Sequence, residues 1–300
     1  MVFYNNIHLR IKIIYLLVIL FLIIIIFRVF YVQVFKYNDL NKLAHDLWNR
    51  NLPIKADRGI IYDRHGRELA TNITTVSLIL IPNQIENKEV VARDLSDILG
   101  VSYENMYNHV AKKTSIERVH PEGRRLTYEV SEKINDLGYD GVYLLKESKR
   151  YYPYKELLSH SLGYTGIDNQ GLSGLELMYD EYLTGEDGAI KFFADGKGHR
   201  LNLEESYDIP QKGMNLTLTV DLDLQLAIER ELNNIMIMYN PESAMILAMN
   251  PQTGEILGMG SRPGFDANNY ADYNIETINR NLPIWATFEP GSTFKNVATI

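Results

Sequence analysis

The chain has 300 residues, of which 46% are hydrophobic and 23% charged, with a net charge of −8 and no cysteine. That length allows about two domains, each able to bury its own core. The acidic balance argues against a nucleic-acid binder, and the lack of thiols excludes disulfides, thiolate zinc sites and a cysteine nucleophile.

From Ile13 to Phe27 the chain reads IIYLLVILFLIIIIF without a charge, and VFYVQVF continues it past Arg28 to Phe35. Residues 13–35 suffice for a membrane-spanning helix, which needs roughly 20 residues. Arg28 lies near the far end, where its guanidinium can snorkel to the headgroups. A cleaved signal peptide fits less well, because bulky residues stand where small ones mark a cleavage site. The expectation is an uncleaved membrane anchor at 13–35. Residues 1–12 form a cytoplasmic tail, and the bulk of a single-pass protein lies outside. His8, Arg10 and Lys12 before the span favour this orientation, but Lys36, Lys42, Arg50 and Lys55 follow it, so basic residues alone do not fix it.

Residues 36–52 read as a charged, partly helical stalk. In KADRGIIYDRHGRELATN, Lys55 to Asn72, a strand over Gly59–Asp63 leads into a turn at Arg64–Arg67, and Glu68–Ala70 is extended again. A separate strand, Val76–Ile81, stops at Pro82. After Asn87 a helix carries Val91, Leu95, Ile98 and Leu99 on one face, with Gly100 as its terminator. Two short helices over 102–137 flank a basic connection containing Arg124 and Arg125. From Arg150 to Gly188 the glycines are too dense for a long helix, which leaves loops and one short helix near Leu175–Leu183. Residues 190–212 read as a strand and a polar linker. Then Asn215–Asp221 alternates like a strand, and Asp221 or Asp223 can cap a helix with an apolar stripe of Leu224, Ile228, Leu232 and Ile235. Ser243–Ser261 reads as a hairpin about Asn250–Gly254. The fold class is α+β multidomain: a mixed α/β domain over 53–208 and a second domain from 213, with a boundary between 205 and 213.

The chemistry sits in FEPGSTFK, Phe288 to Lys295. Residues at i and i+3 share a helix face, so Ser292 and Lys295 can come within hydrogen-bond reach. A serine hydroxyl is a poor nucleophile until a neighbour takes its proton, and burial of an ammonium makes its neutral amine accessible as that base. The first turn of a helix adds backbone N–H groups where an oxyanion would form, and Pro290-Gly291 suits a tight turn into it. By itself the four-residue pattern also fits a surface helix whose serine is the N-cap.

The wider sequence resembles the class B penicillin-binding proteins, the monofunctional peptidoglycan transpeptidases. RGIIYDRHGRELATN and RYYPYKELLSHSLGYTGIDNQGLSGLE are similar to the family's N-terminal motifs, and GEDG to the exit from its pedestal, or dimerisation, domain. LTLTVDLDLQ and AMNPQTGEILGMGSRPGFDANNY look like the opening of its transpeptidase domain. NRNLPIWATFEPGSTFK resembles the sporulation- and division-type branch most closely. The resemblance implies that Ser292 attacks the penultimate D-Ala carbonyl of a D-Ala-D-Ala stem peptide, with Lys295 as the candidate base, and that β-lactams acylate the same serine. It implies a membrane location and, as partners, a membrane glycosyltransferase, division or sporulation proteins, and a second copy in a homodimer. It also implies a Ser-x-Asn and a Lys-Thr-Gly element, which the five residues after Lys295 do not contain. The expectation is therefore a fragment of a longer product, inactive alone, with a truncated catalytic domain over 213–300.

Other features point elsewhere or nowhere. Arg58, Asp63, Arg64 and Glu176 read as a polar network, either an internal salt-bridge cluster or a partner surface. His160 reads as a packing or hydrogen-bonding residue. The seven histidines lack metal-ligand spacing, so no metal or cofactor is inferred, and nucleic acid is not a partner. The alternative function is a non-catalytic anchored scaffold of the division or sporulation machinery. A class D β-lactamase, which shares STFK, would not carry nearly three hundred residues before its serine, and nothing after the anchor looks like a glycosyltransferase domain.

Overall fold

The computed structural model describes residues 2–37, 49–193 and 206–295. Most of the expected stalk (38–48), the linker (194–205) and the continuation of the helix after Lys295 (296–300) lie outside the described residues. The chain divides into two units, Met1–Asn51 with Lys191–Ser206, and Leu52–Ile190 with Tyr207–Ile300. In the first, a helix runs over Val2–Phe35, and its stretch Ile11–Phe35 is long and apolar enough to cross a membrane. The 25 residues of that stretch span about 38 Å at 1.5 Å each.

The second unit is organised by one strand, Glu68–Leu80. Along one side it pairs antiparallel with Val142–Tyr151, from Thr71↔Tyr151 to Leu80↔Val142. On its other side its start pairs with Ile61–Tyr62 and its end with Glu117–Arg118. Ile61–Tyr62 in turn pairs in parallel with Leu216–Thr217. The two extended segments expected at Glu68–Ala70 and Val76–Ile81 are thus one strand. Its polar middle passes through solvent, with Ile73 exposed, while its two ends enter separate cores.

Leu69 and Ala70 join a core with Ile61, Leu162, Leu183, Val220, Leu222 and Phe265. Leu78 and Leu80 join another with Val91, Leu95, Met106, Val110 and Ile134. The second core is roofed by helices Lys88–Leu99, Tyr103–Val110 and Tyr128–Asp136, which are the expected helix and the two short ones. Asn87 caps the first through Val90 N–H, and it ends at Gly100. The glycine-rich segment holds three short helices, Ser159–Leu162, Gly174–Met178 and Asp180–Leu183, where one was expected.

Three stretches cross backbone to backbone at the foot of the strand pair. Gly59 N–H donates to Leu183 O (2.8 Å), Gly213 N–H to Asp57 O (3.0 Å) and Leu216 N–H to Ile60 O (2.9 Å). There is no room for a side chain here. A Cβ on Gly59 would lie 1.8 Å from Met214 O, and one on Gly213 would lie 1.8 Å from Leu183 O. After this crossing only Leu216–Thr217 is strand, shorter than the expected run to Asp221.

Helix Leu222–Tyr239 and hairpin Ala244–Met249/Ile256–Arg262 follow, the helix capped by Asp221 as expected. The buried face of the helix is Leu222, Gln225, Ile228, Glu229 and Leu232, so it is rotated from the expected stripe and Leu224 is exposed. Gln225 causes the rotation. Its amide accepts Met259 N–H (2.9 Å) and donates to Met259 O (2.8 Å), completing the strand as a neighbouring backbone would. Gly258 and Gly260 let Ile228 and Leu232 approach the strand.

Gly59→Ala is expected to destabilise the full chain by about 3 kcal/mol, because backbone atoms must move apart. Gly66→Ala, where a Cβ meets nothing, is expected to cost about 1 kcal/mol of left-handed strain. Urea unfolding in detergent measures both, and equal losses would contradict the crossing.

Candidate active site

The frame behind the site is a buried ion cluster. Arg58 and Arg150 are each 2% exposed and Glu176, between them, is 0% exposed. Arg58 Nε donates to Glu176 Oε2 (2.6 Å) and Arg150 Nε to Oε1 (2.7 Å). Main-chain oxygens take further N–H groups: Asn169 O and Glu176 O from Arg58, and Gly59 O from Arg150. Asp180 closes the cluster by accepting from Arg58 Nη1 and from Gly171 N–H. Burial alone would raise the Asp180 carboxyl, but these donors hold it below the usual carboxylate range. The expected network is therefore an internal salt-bridge cluster, and Arg150, which pattern reading passed over, is a full member.

Asp63 and Arg64 do not belong to it. Arg64 is exposed, and among the described residues its backbone N–H alone is engaged, by Val220 O (3.0 Å). Asp63 is fully buried in a second latch. It accepts His65 N–H, Arg67 N–H, Arg67 Nε and Leu222 N–H. Burial pushes its carboxyl up, and these hydrogen bonds outweigh that and hold it below 3.8. Arg67 also reaches Asp223 (2.9 Å), and His65 lies 3.3 Å from Asp221. The turn after the first strand is thereby fixed to the N-terminus of helix Leu222–Tyr239.

A third cluster fixes the basic connection. Glu147 accepts from Ser77 Oγ (2.7 Å) and Arg124 Nε (2.9 Å), and Arg125 reaches Gly166 O and Asn169 Oδ1. On the hairpin side, Glu229 pairs with Arg262 (2.6 Å) and accepts Leu158 N–H (3.1 Å).

Beyond the hairpin the chain becomes a succession of short turns, with helices Ile275–Asn279 and Leu282–Trp285 and then a 3-10 turn, Gly291–Phe294. Ser292 lies in that turn, and Lys295 is the first helical residue after it. A 3-10 turn has three residues per repeat, so side chains three apart stand on the same side. Gly291 sits at φ 58° with open space where a Cβ would be, so backbone conformation rather than crowding selects glycine. Two expectations are corrected here. The serine stands in a 3-10 turn rather than the first α-helical turn, and Lys295 is exposed, so the burial expected around its ammonium is not supplied by the described residues. Among the described residues no group of His, Cys, Asp and Glu is arranged to hold a metal.

Comparison with known proteins places this geometry. The family model for the penicillin-binding protein dimerisation domain matches residues 53–218, and that for the penicillin-binding protein transpeptidase domain matches residues 244–300. The chain is 46% identical to stage V sporulation protein D of Bacillus subtilis over 89% of its own length and 42% of the relative's. It is 30% identical to the peptidoglycan D,D-transpeptidase FtsI of Escherichia coli over 89% of its length and 46% of that protein's. The chain thus spans less than half the length of these curated relatives. The fold is similar to the crystal structure of penicillin-binding protein 2X from Streptococcus thermophilus, with a TM-score of 0.53 and 24% identity over 79% of this chain and 38% of that one.

Glu176→Ala would leave two guanidinium groups buried without their carboxylate, an expected loss of about 3–5 kcal/mol by denaturant unfolding of the full chain. A second expectation concerns acid. Because the folded carboxyl of Asp63 is depressed, its contribution is complete above 3.8 and is lost as pH falls through the folded value. Stability measured against pH should therefore fall below about 4, and Asp63→Asn should make that fall shallower.

Proposed function

The chain belongs to the penicillin-binding proteins, and on that premise we propose that it supplies the anchor, pedestal and nucleophile turn of a membrane peptidoglycan D,D-transpeptidase. The observation that carries this reading is the Gly291–Phe294 turn, which holds Ser292 exposed one turn before Lys295, inside the stretch matched by the transpeptidase model. Residues 13–35 are the span, with 1–12 cytoplasmic and the rest outside. Residues 53–208 are the pedestal, and 213–300 open the catalytic domain.

Ser292 Oγ attacks the penultimate D-Ala carbonyl of a stem peptide while Lys295 takes its proton. The tetrahedral oxyanion is held in part by Ser292 N–H. Collapse breaks the peptide bond, the proton passes to the leaving amine, and the terminal D-Ala departs. An amine of a neighbouring strand then attacks the ester, forming the cross-link and releasing Ser292. A β-lactam acylates the same oxygen through its strained amide. The working partners are a membrane glycosyltransferase, division or sporulation proteins, and a second copy of the chain. The exposed row Met245, Leu247 and Met249 on the hairpin supports a catalytic domain that continues beyond these residues.

Native membranes labelled with fluorescent penicillin are expected to give a labelled protein above 34.5 kDa whose modified peptide contains Ser292. Ser292→Ala is expected to abolish the label, and the isolated 300-residue chain to take none. Label retained by the Ser292→Ala protein, or no label in native membranes that hold a protein above 34.5 kDa containing the Ser292 peptide, would overturn the assignment.

A further inference from the structure

Ser292 makes its approach over short turns, yet the segment before it is held at two points by one small element. We propose that His160 is a positioning residue: with Ser161, it ties the Leu158–Ser161 turn to the two short helices that deliver Ser292, and so sets the rate at which that serine is acylated. This rests on Ser292 being the nucleophile.

The turn is itself fixed. Leu158 holds a left-handed backbone (φ 55°), unusual for a residue with a branched side chain, and its N–H is held by Glu229, which Arg262 pairs in turn. From that base the next two side chains reach forward. His160 Nε2–H donates to Thr277 O at 2.8 Å. That carbonyl lies in the last turn of helix Ile275–Asn279, where the helix offers it no partner. Ser161 Oγ accepts from Asn281 Nδ2 at 3.3 Å. Asn281 starts the second helix, and its carbonyl accepts Ile284 N–H and Trp285 N–H. Asn281 precedes Ser292 by eleven residues, so both helices on the approach are gripped by consecutive residues of one turn.

The other face of the imidazole is equally committed. Nδ1 lies 3.4 Å from the buried Ser261 hydroxyl, which can donate to it or accept from it, and the ring stands edge-on to Phe265 with centroids 5.1 Å apart. A packing histidine would need the ring contact alone. Here Nε2 carries the proton it gives to Thr277 O, and Nδ1 faces a hydroxyl that can serve either protonation state of the ring. Burial pushes the imidazole below 6.5, Arg262 adds to this, and the bond to Thr277 and the charge of Glu229 oppose it. The charged groups around the ring are Arg262 on the hairpin, Glu229 on helix Leu222–Tyr239 and Glu156 on its own segment. Protonation would place a charge beside Arg262 but would leave the bond to Thr277 O in place, so the grip does not depend on a neutral ring.

The test uses the native membrane-bound protein and the rate of penicillin acylation. His160→Phe keeps the ring contact and removes both hydrogen bonds, and it is expected to slow acylation about tenfold with little change in unfolding temperature. His160→Gln, whose amide can still donate to Thr277 O, is expected to recover most of the rate. If His160→Phe fails to accumulate, Ser161→Ala, which removes only the second contact, decides the matter by the same rate and is expected to slow acylation severalfold. A wild-type rate in His160→Phe or in Ser161→Ala would overturn the proposal. Absence of label at Ser292 in the wild type would instead remove the nucleophile assignment beneath it.

Discussion

The second unit depends on a carboxylate fully withdrawn from the surface. Glu176 is buried between the guanidinium groups of Arg58 and Arg150, and each ion gives up hydration worth on the order of several kcal/mol. Such a cluster is tolerable only when every member is present and nearly every donor has an acceptor. The carbonyls of Gly59, Asn169 and Glu176 take most of the remaining donors, and among the described residues Arg150 Nη2 alone in the cluster finds none. Three stretches far apart in sequence are therefore committed to one mutual arrangement. Any packing that omits one of them strands a charge in an apolar interior. Hydrophobic burial supplies most of the driving force, but it tolerates many near-equivalent packings; the ion cluster penalises the wrong ones.

From this anchor the order spreads in one direction. The position of Arg58 fixes Gly59 against Leu183 and Ile61 against Leu216. The Asp63 latch then holds the N-terminus of helix Leu222–Tyr239, whose Gln225 and Glu229 hold the hairpin. Buried polar contacts thin out beyond Arg262. The turn that bears Ser292 is reached through short helices and exposed apolar residues, among them Ile284, Trp285 and Phe288. The reactive segment is thus supported from behind, and among the described residues Ser292 is exposed.

Much of this was legible in the sequence where side chains obey simple periodicity. The anchor, the helix after Asn87, the two helices of 102–137 and the hairpin all follow from apolar spacing and caps. The misreadings share one cause. Strand Val142–Tyr151 escaped notice because its most buried residues are Glu147 and Arg150, not a row of aliphatics. The face of helix Leu222–Tyr239 was misplaced because Gln225 and Glu229 point inward. Strand Glu68–Leu80 was cut in two because its middle, Asn-Ile-Thr-Thr, crosses between cores. Periodicity sees hydrophobic burial; it does not see a charge buried with its partner from 118 residues away. Ser292 and Lys295 were found by a different signal, a short motif whose chemistry constrains spacing, while the 3-10 geometry of their turn was beyond what spacing specifies.

The parallel pairing of Ile61 with Leu216 also governs how the protein is made. Ile60 and Asn215, joined by a hydrogen bond beside that pairing, are separated by 155 residues. A ribosome adding about 5–20 residues per second needs on the order of 10–30 s to supply the second after the first. Through that interval strand Ile61–Tyr62 is paired with Glu68–Ala70 on one edge and bare on the other. An unpaired edge of this kind is a template for the wrong strand, including the same segment of a neighbouring nascent chain. The polar and charged residues around it, Asp57, Arg64, His65 and Arg67, keep that waiting edge soluble. The motif is thus written for two environments, first as a hydrated free end and later as the innermost joint of the fold.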